Sequence, residues 1–205
     1  MNHLLLINSA IFLLINIMFL WLFEREKPKP GEILPIVVMC CAASLGRVVF
    51  AVIPQVQPVT ALVIITGSVY GCRKGYVTGA LAALISNLFL GQGPWTLFQM
   101  TAWGVVGLLA GVLGHISSGK KKKTRKILFT IYGVAAGFLF SIITDFLTIC
   151  YLGDAMNIHS VIAVFATGLA FNVGHAVFNG ILLYAFYELI STKSVSYTHL
   201  TLPTT

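Results

Sequence analysis

A low content of charged residues and a high content of apolar residues define this chain of 205 residues, of which 58% are hydrophobic and 9% are charged. Soluble domains carry about 25% charged residues, so the composition excludes an ordinary soluble globular protein. We therefore expect an all-α fold, a polytopic transmembrane helical bundle. The formal net charge of +7 would suit a nucleic-acid partner, but the positions of the charges along the chain argue against one.

The first apolar segment, residues 4–23, contains no charged side chain. A helix of about 20 such residues is long enough to cross the hydrocarbon core of a bilayer. A cleaved signal peptide would begin with basic residues and end at a small-residue cleavage site. Here the chain starts with Met-Asn-His, and the charged residues Glu24 to Lys27 follow the apolar run. The pattern favours a retained transmembrane helix.

Six more apolar segments follow, and clusters of Pro, Gly or charged residues separate them. The expected helices are 33–53, 59–71, 76–90, 97–116, 127–151 and 159–190. This divides the chain into an extra N-terminal helix with a charged link (1–30) and a six-helix domain (31–191). The tail 192–205 is polar and lacks helical periodicity, and its end looks like translated adapter sequence. We expect it to be non-native or disordered.

The positive charges lie on one side of this arrangement. Links 24–30, 72–75 and 117–126, together with the tail, hold all of the 13 lysines and arginines except Arg47. By the positive-inside rule this side is cytoplasmic, which places the N-terminus outside the cell membrane and the C-terminus inside. The lysines then orient the protein and meet anionic lipid, so we expect no nucleic-acid partner.

Ionisable groups inside membrane spans are costly and commonly functional. The clearest are Arg47, Asp145 and His175. Arg47 and Asp145 each precede the outer end of their expected helix by about six residues, roughly 9 Å along a helix. At this common depth they could form a pair, either as an anchor for substrate or as a structural salt bridge, and both interpretations stay open. His175 is more typical of a packing histidine.

The expected outer side also gathers aromatic and amide side chains. Trp95, Gln99 and Trp103 are spaced four residues apart and share one helix face. The neutral amides on that side are Gln55, Gln57, Asn87 and Gln92. Apolar walls with a few hydrogen-bonding groups are typical of a pocket for a large ligand. The alternative for the tryptophans is an aromatic belt at the membrane interface.

Several motifs are missing from the sequence. It has no GxxxxGK[ST], so it does not bind ATP through a P-loop, and it has no HExxH or GxSxG. Ser86 and Ser141 lack the context of a serine nucleophile, so we do not expect an enzyme. The four cysteines lie in or beside apolar segments and form no CxxC pair. We expect neither a disulfide, nor a metal site, nor a cofactor.

Three stretches between residues 46 and 114 resemble the S components of energy-coupling factor transporters. They are GRVVFAVIPQVQPVTALVIITGSVYG, RKGYVTGALAALISN and GQGPWTLFQMTAWGVVGLLAGVLG. The resemblance implies that 33–190 form a six-helix S-component core to which helix 4–23 is added. It also implies a bacterial membrane subunit that captures a vitamin-type substrate outside and delivers it inward with a transmembrane scaffold and two ATPases.

The GQGPWT run is most similar to cobalamin-type S components. This implies that Trp95, Gln99 and Trp103 line a wide pocket for a corrinoid, while riboflavin, folate and queuosine precursors stay open. In the family, an AxxxA-type motif on the first core helix contacts the scaffold, and the nearest match here is Ala42, Ala43 and Gly46.

Two other classes compete with this interpretation. A stand-alone secondary transporter or channel would need a polar path through the membrane. Asn172, His175 and Asn179, below Asp145, would supply part of one. An intramembrane enzyme is the third class.

Overall fold

The protein folds into a bundle of seven α-helices in the computed structural model, which describes residues 3–53 and 56–201 and gives side chains through residue 192. The helices are α1 (His3–Arg25), α2 (Pro30–Val49), α3 (Val59–Tyr70), α4 (Cys72–Leu90), α5 (Pro94–Ile116), α6 (Lys122–Leu152) and α7 (Ile158–Thr201). A short 3-10 turn, Gly153–Ala155, joins α6 to α7. The described residues contain no β-strand, so the all-α class is confirmed.

Five of the helices, α1, α2, α5, α6 and α7, are long and apolar enough to cross a membrane. The flanks of these helices expose large apolar side chains, as expected where a surface faces lipid. By contrast, most residues of α3 are buried, and this helix has only 12 residues. The protein is thus a multi-pass membrane protein in which α3 is largely enclosed by other helices.

Glycines set the close approach of α3, α4 and α5. A Cβ added at Gly75 would lie 2.6 Å from the Cα of Gly67 and 2.8 Å from the carbonyl carbon of Gly107. Further along α5, Gly111 packs on Cys72 and Gly114 packs on Ser68. Small residues at four-residue spacing let helix backbones touch in membranes, where lipid provides no hydrophobic drive between helices. These contacts fix the depth at which α4 and α5 present their polar side chains.

Helix α1 is bound to the bundle by a buried asparagine. Asn16, 1% exposed, donates to Oγ1 of Thr101 on α5 at 2.8 Å and accepts from the hydroxyl of Tyr76 on α4 at 3.1 Å. Its neighbour Phe19 stacks on Tyr76 with ring centroids 3.9 Å apart. The extra N-terminal helix therefore contacts the core through specific polar and aromatic contacts.

Ion pairs bring two of the basic segments together at one end of the bundle. Arg73 pairs with Glu26, and Lys74 pairs with Glu32 at 2.7 Å. These contacts join the link after α1, through Glu26, and the first turn of α2, through Glu32, to the first turn of α4. We call this end of the bundle the basic end. The start of α6 and residues 191–192 of α7 also lie here, and together with the ends of α3 and α5 they line one cavity.

Some helix ends differ from those expected. Helix α2 ends at Val49, and 50–53 form a turn. Helix α6 already begins at Lys122, inside the expected loop, and α7 continues to Thr201, into the segment 192–205 for which no helix was expected. Extending an existing helix costs little once its first turns are fixed by packing, so polar composition alone did not mark these ends. Residues 202–205 lie outside the described part.

We expect Asn16→Leu to destabilise the protein, because it removes the α1 contacts and leaves the Tyr76 hydroxyl buried without its acceptor. The free energy of unfolding should fall by about 1–2 kcal/mol, in the range measured for interhelical hydrogen bonds in membranes. Asn8→Leu is the matched control, since the side-chain amide of Asn8 donates to the backbone of Leu4 within α1. Thermal unfolding in detergent measures both variants, and equal effects would contradict this role for Asn16.

Candidate functional site

A buried arginine lies at the centre of the polar residues near the end opposite the basic end. Arg47, in the last turn of α2, is 6% exposed. Its Nη1 donates to Oγ of Ser86 at 2.6 Å and to Oδ1 of Asn87 at 2.5 Å, and its Nη2 donates to Oε1 of Gln99 at 3.2 Å. All three acceptors are uncharged, and the buried Nε makes no hydrogen bond.

No carboxylate neutralises this guanidinium in the described part of the chain. The ion pairs found there are Arg73–Glu26 and Lys74–Glu32, both at the basic end. A buried cation without a counter-charge is costly in a low-dielectric environment. The dipoles of neutral amides and a hydroxyl stabilise it only in part, so the site favours an additional acceptor or a negative charge.

The polar side chains around Arg47 form one hydrogen-bonded group, which we call the amide cluster (Ser86, Asn87, Gln92, Thr96 and Gln99). The Nδ2 of Asn87 donates to Oγ1 of Thr96 at 3.0 Å and to Oε1 of Gln99 at 2.9 Å. The hydroxyl of Thr96 donates in turn to Oε1 of Gln92 at 2.8 Å. Because Gln92 is exposed and Asn87 is buried, this chain of hydrogen bonds leads from the surface inward to Arg47.

The turn between α4 and α5 brings these amides together. Gly91 ends α4 with φ of 104°, a conformation that residues with a side chain rarely adopt. Its N–H donates to the carbonyl of Asn87 at 2.9 Å. Pro94 then starts α5 after Gly93, a position where its missing N–H costs nothing. The tight turn sets Asn87 on α4 against Thr96 and Gln99 on α5.

Trp103 lies deeper in the bundle than the amide cluster. Its ring centroid is 5.0 Å from Cζ of Arg47, a cation–π distance. Its Nε1 donates to Oγ1 of Thr60 at 2.9 Å, and that oxygen is 3.1 Å from Nε2 of His175. Phe140 packs on the indole with centroids 4.4 Å apart. This layer connects α2, α3, α5, α6 and α7 below the arginine.

Five of the residues expected to bind substrate lie in this region: Arg47, Asn87, Gln92, Gln99 and Trp103. Trp103 is 1% exposed, so it forms part of the core below the cluster. Trp95 is 40% exposed, and its Nε1 donates to the carbonyl of Gly91 at 3.2 Å. Gln57 is half-buried in the segment before α3. Gln55 lies outside the described residues.

Asp145 is in a different place from the one its depth suggested. Its Oδ2 accepts a hydrogen bond from Nδ2 of Asn172 at 3.1 Å, and it forms no ion pair with Arg47. The considered Arg47–Asp145 pair is therefore wrong for this fold. The reason is lateral position: Asp145 faces α7, whereas Arg47 points to α4 and α5. Equal depth in the membrane does not make two helices neighbours.

Ser86, Thr96 and Thr60 also belong to this site, although the sequence did not predict them as members. Ser86 precedes Asn87 in the chain, and Thr96 follows directly after Trp95, so both had a signal in their position beside expected site residues. Thr60 had none, because its role depends on Trp103 and His175, which are distant in the chain and meet it only in the folded bundle.

The expected partner-coupling residues divide between two environments. Ala43 is fully buried, and a Cβ added at Gly46 would clash with the ring of Pro58. Ala42 is exposed. Of the three, Ala43 and Gly46 serve packing inside the bundle, while Ala42 lies on the outer face of α2. Residues that are neighbours in the sequence point in different directions from a helix, because each residue turns the helix by 100°.

Comparison with known proteins gives one match. Residues 27–199 match the model of a family described as a family of unknown function, DUF6580. The chain belongs to this family. The match begins after α1, so the family region comprises α2 to α6 and most of α7. The curated proteins and the solved structures gave no match.

We expect Asn87→Leu to lower the free energy of unfolding by about 1–3 kcal/mol, because it leaves Arg47 buried without its shortest hydrogen bond. In the double variant Arg47→Met/Asn87→Leu the loss should be smaller than the sum of the two single losses, since contacting residues are coupled. Gln92→Ala, at an exposed position, is the control and should stay within about 0.5 kcal/mol. Additive effects in thermal unfolding would contradict the coupling.

Proposed function

We propose that this protein is the substrate-binding subunit of an energy-coupling factor transporter, an S component that captures a vitamin-type compound outside the cell. The observation that carries this proposal is the buried, uncompensated Arg47 at the inner end of a chain of amides that begins at the exposed Gln92. A binding site of this kind sits in an otherwise apolar bundle and has donors and acceptors for a neutral or anionic ligand.

The geometry supports a capture mechanism. Gln92 and Gln99 are flexible side chains whose oxygens accept hydrogen bonds from Thr96 and from Arg47. A substrate amide or carboxylate would replace these oxygens and accept from the same donors. Trp95, at the surface, would cover an apolar part of the substrate. The GQGPWT sequence in this turn favours a corrinoid such as cobalamin as that substrate.

Inward delivery would depend on a scaffold subunit and two ATPases, because the chain has no P-loop of its own. The exposed face of α2 is a candidate docking surface for the scaffold. It carries Val38, Ala42, Leu45 and Val49. Among these Ala42 is the small residue, and a small side chain allows a partner helix to come close.

A stand-alone secondary transporter is the second candidate, and one observation favours it. Asn179 on α7 is fully buried, and neither its Nδ2 nor its Oδ1 has a hydrogen-bond partner. With Asn172 and His175 on the same helix, it would form part of a polar path. An intramembrane enzyme has less support, because the Ser86 hydroxyl donates to the carbonyl of Ala82 and accepts from the Arg47 cation.

We expect the purified protein to bind cobalamin or a related vitamin, and Trp95→Ala and Gln99→Ala to weaken that binding by about 1–3 kcal/mol each through lost stacking and hydrogen bonding. Trp21→Ala is the matched control, because Trp21 is an exposed tryptophan beside Arg25 on α1. Mass spectrometry of co-purifying compounds and titration with cobalamin, riboflavin and folate provide the measurement. Unchanged affinity in both site variants would contradict the pocket.

We expect uptake into proteoliposomes to need both ATP and the scaffold with its ATPases. Ala42→Leu should reduce uptake strongly while leaving substrate affinity unchanged, because it enlarges a side chain on the proposed docking face and touches no residue of the amide cluster. Gradient-driven uptake by this chain alone would replace the S-component proposal with the secondary transporter.

The proposed orientation makes a separate prediction. A single cysteine at Lys121, in a background without native cysteines, should react with a membrane-impermeant maleimide in inside-out vesicles and stay unreactive in intact cells. A cysteine at Gln92 should behave in the opposite way. Both expectations follow from the positive-inside rule. Labelling of Lys121→Cys from the cell exterior would place the amide cluster on the cytoplasmic side and end the capture proposal.

A further inference from the structure

The cavity at the basic end lies at the opposite end of the bundle from the amide cluster. Its volume is about 590 Å³, within the range of small-molecule sites. It lies among the ends of α3, α5 and α6 and the side of α7. The polar side chains in its wall include Ser68, His115, Lys122, Arg125, Tyr187 and Glu188.

Two hydrogen-bond donors in this wall have no acceptor. Arg125, in the first turn of α6, donates from Nη2 to the carbonyl of Ser68 at 3.3 Å, but its buried Nε makes no hydrogen bond. Tyr187 is 3% exposed, and its hydroxyl lies beside Ser68 and Arg125 without a hydrogen bond of acceptable geometry. Buried donors without a partner are rare in folded proteins, and each is costly unless a ligand or water supplies the acceptor.

The two cations in the cavity wall, Lys122 and Arg125, form no ion pair with any residue that the structure describes, in contrast to the cations nearby. Arg73 and Lys74 are each in an ion pair. Within the described residues, Arg125 and Lys122 have no carboxylate oxygen within 4.0 Å, although exposed Glu188 is in the same wall. Lys122 also begins α6, and no side chain caps its first N–H groups, so the helix dipole adds positive potential. The uncompensated positive charge and the two hydrogen-bond donors without an acceptor both favour an anionic ligand in this cavity.

We propose that this cavity binds a phosphate ester that carries a hydroxyl group, with Arg125 and Tyr187 donating to the phosphate oxygens. Guanidinium groups form strong hydrogen bonds with phosphate because both the charge and the geometry match. Lys122 adds charge at the mouth. The Glu188 carboxylate accepts from the hydroxyl, which explains why a carboxylate belongs in an anion site. This inference does not depend on the capture function.

The phosphate ester has two sources, a phosphatidylglycerol headgroup or a soluble compound such as glycerol 3-phosphate. Two preparations separate them. The first is the full chain in nanodiscs of phosphatidylcholine, titrated with glycerol 3-phosphate. The second is the full chain in nanodiscs that also contain phosphatidylglycerol, analysed by native mass spectrometry for retained lipid. Saturable binding of glycerol 3-phosphate in the first preparation supports a soluble ligand. Phosphatidylglycerol that stays bound in the second preparation in the presence of excess glycerol 3-phosphate supports the lipid.

Three variants test the assignment in whichever preparation shows binding. Arg125→Gln should weaken binding about tenfold or more, and Tyr187→Phe should weaken it by about three- to tenfold, as expected for one charged and one neutral hydrogen bond. Lys123→Gln is the matched control: it removes one charge from the same turn but lies outside the cavity wall. It should change affinity by less than about twofold.

The isosteric Tyr187→Phe keeps the test decisive if Arg125→Gln fails to fold, because it removes only a hydroxyl that has no partner in the bundle. Its thermal unfolding without ligand should match that of the native protein. The proposal is overturned if neither preparation shows saturable binding, or if Lys123→Gln weakens binding as much as Arg125→Gln. The second outcome would mean attraction by the whole basic surface rather than a site.

Discussion

Keeping the Arg47 guanidinium charged inside an apolar bundle is the constraint on which the rest of the candidate site depends. No carboxylate of the described residues compensates this charge, so the guanidinium is stabilised by the hydrogen bonds that it donates to neutral side chains. This requirement sets where α4 and α5 stand relative to α2. It also explains why a serine, two glutamines, a threonine and an asparagine converge in one small volume of a membrane protein.

The glycine contacts between α3, α4 and α5 make this convergence feasible. With Gly75 against Gly67 and Gly107, the backbones touch, and the polar groups nearer the opposite end come within hydrogen-bonding distance. A larger side chain at any of these glycines would separate the helices by more than a hydrogen bond can tolerate. Packing at one level of the bundle thus controls polar chemistry at another.

The two ends of the bundle carry different chemistry. One end has neutral amides around a single buried cation, together with an exposed indole. The other end has two ion-paired cations, Arg73 and Lys74, and beside them a cavity lined by two cations without an ion pair in the described part of the chain, Lys122 and Arg125. The proposed phosphate-ester site lies at the end that the positive-inside rule predicts to be cytoplasmic, the side where anionic lipids are found. Between the two ends, Asn16 holds α1 to the core.

The sequence by itself determined the class of the fold, the presence of seven helices and the segregation of positive charge along the chain. These follow from composition and from local breakers such as Gly91 and Pro94, which act without distant contacts. It also predicted Arg47, Asn87, Gln92 and Gln99 as candidate site residues, because polar groups stand out in apolar segments.

Only the tertiary structure decided which of these residues meet. It separated Asp145 from Arg47, buried Trp103 beneath the cluster and joined Thr60 to His175. Periodicity gives a residue its depth and its helix face, but the lateral order of helices depends on contacts such as Gly75 to Gly107, which link parts of the chain far apart in sequence.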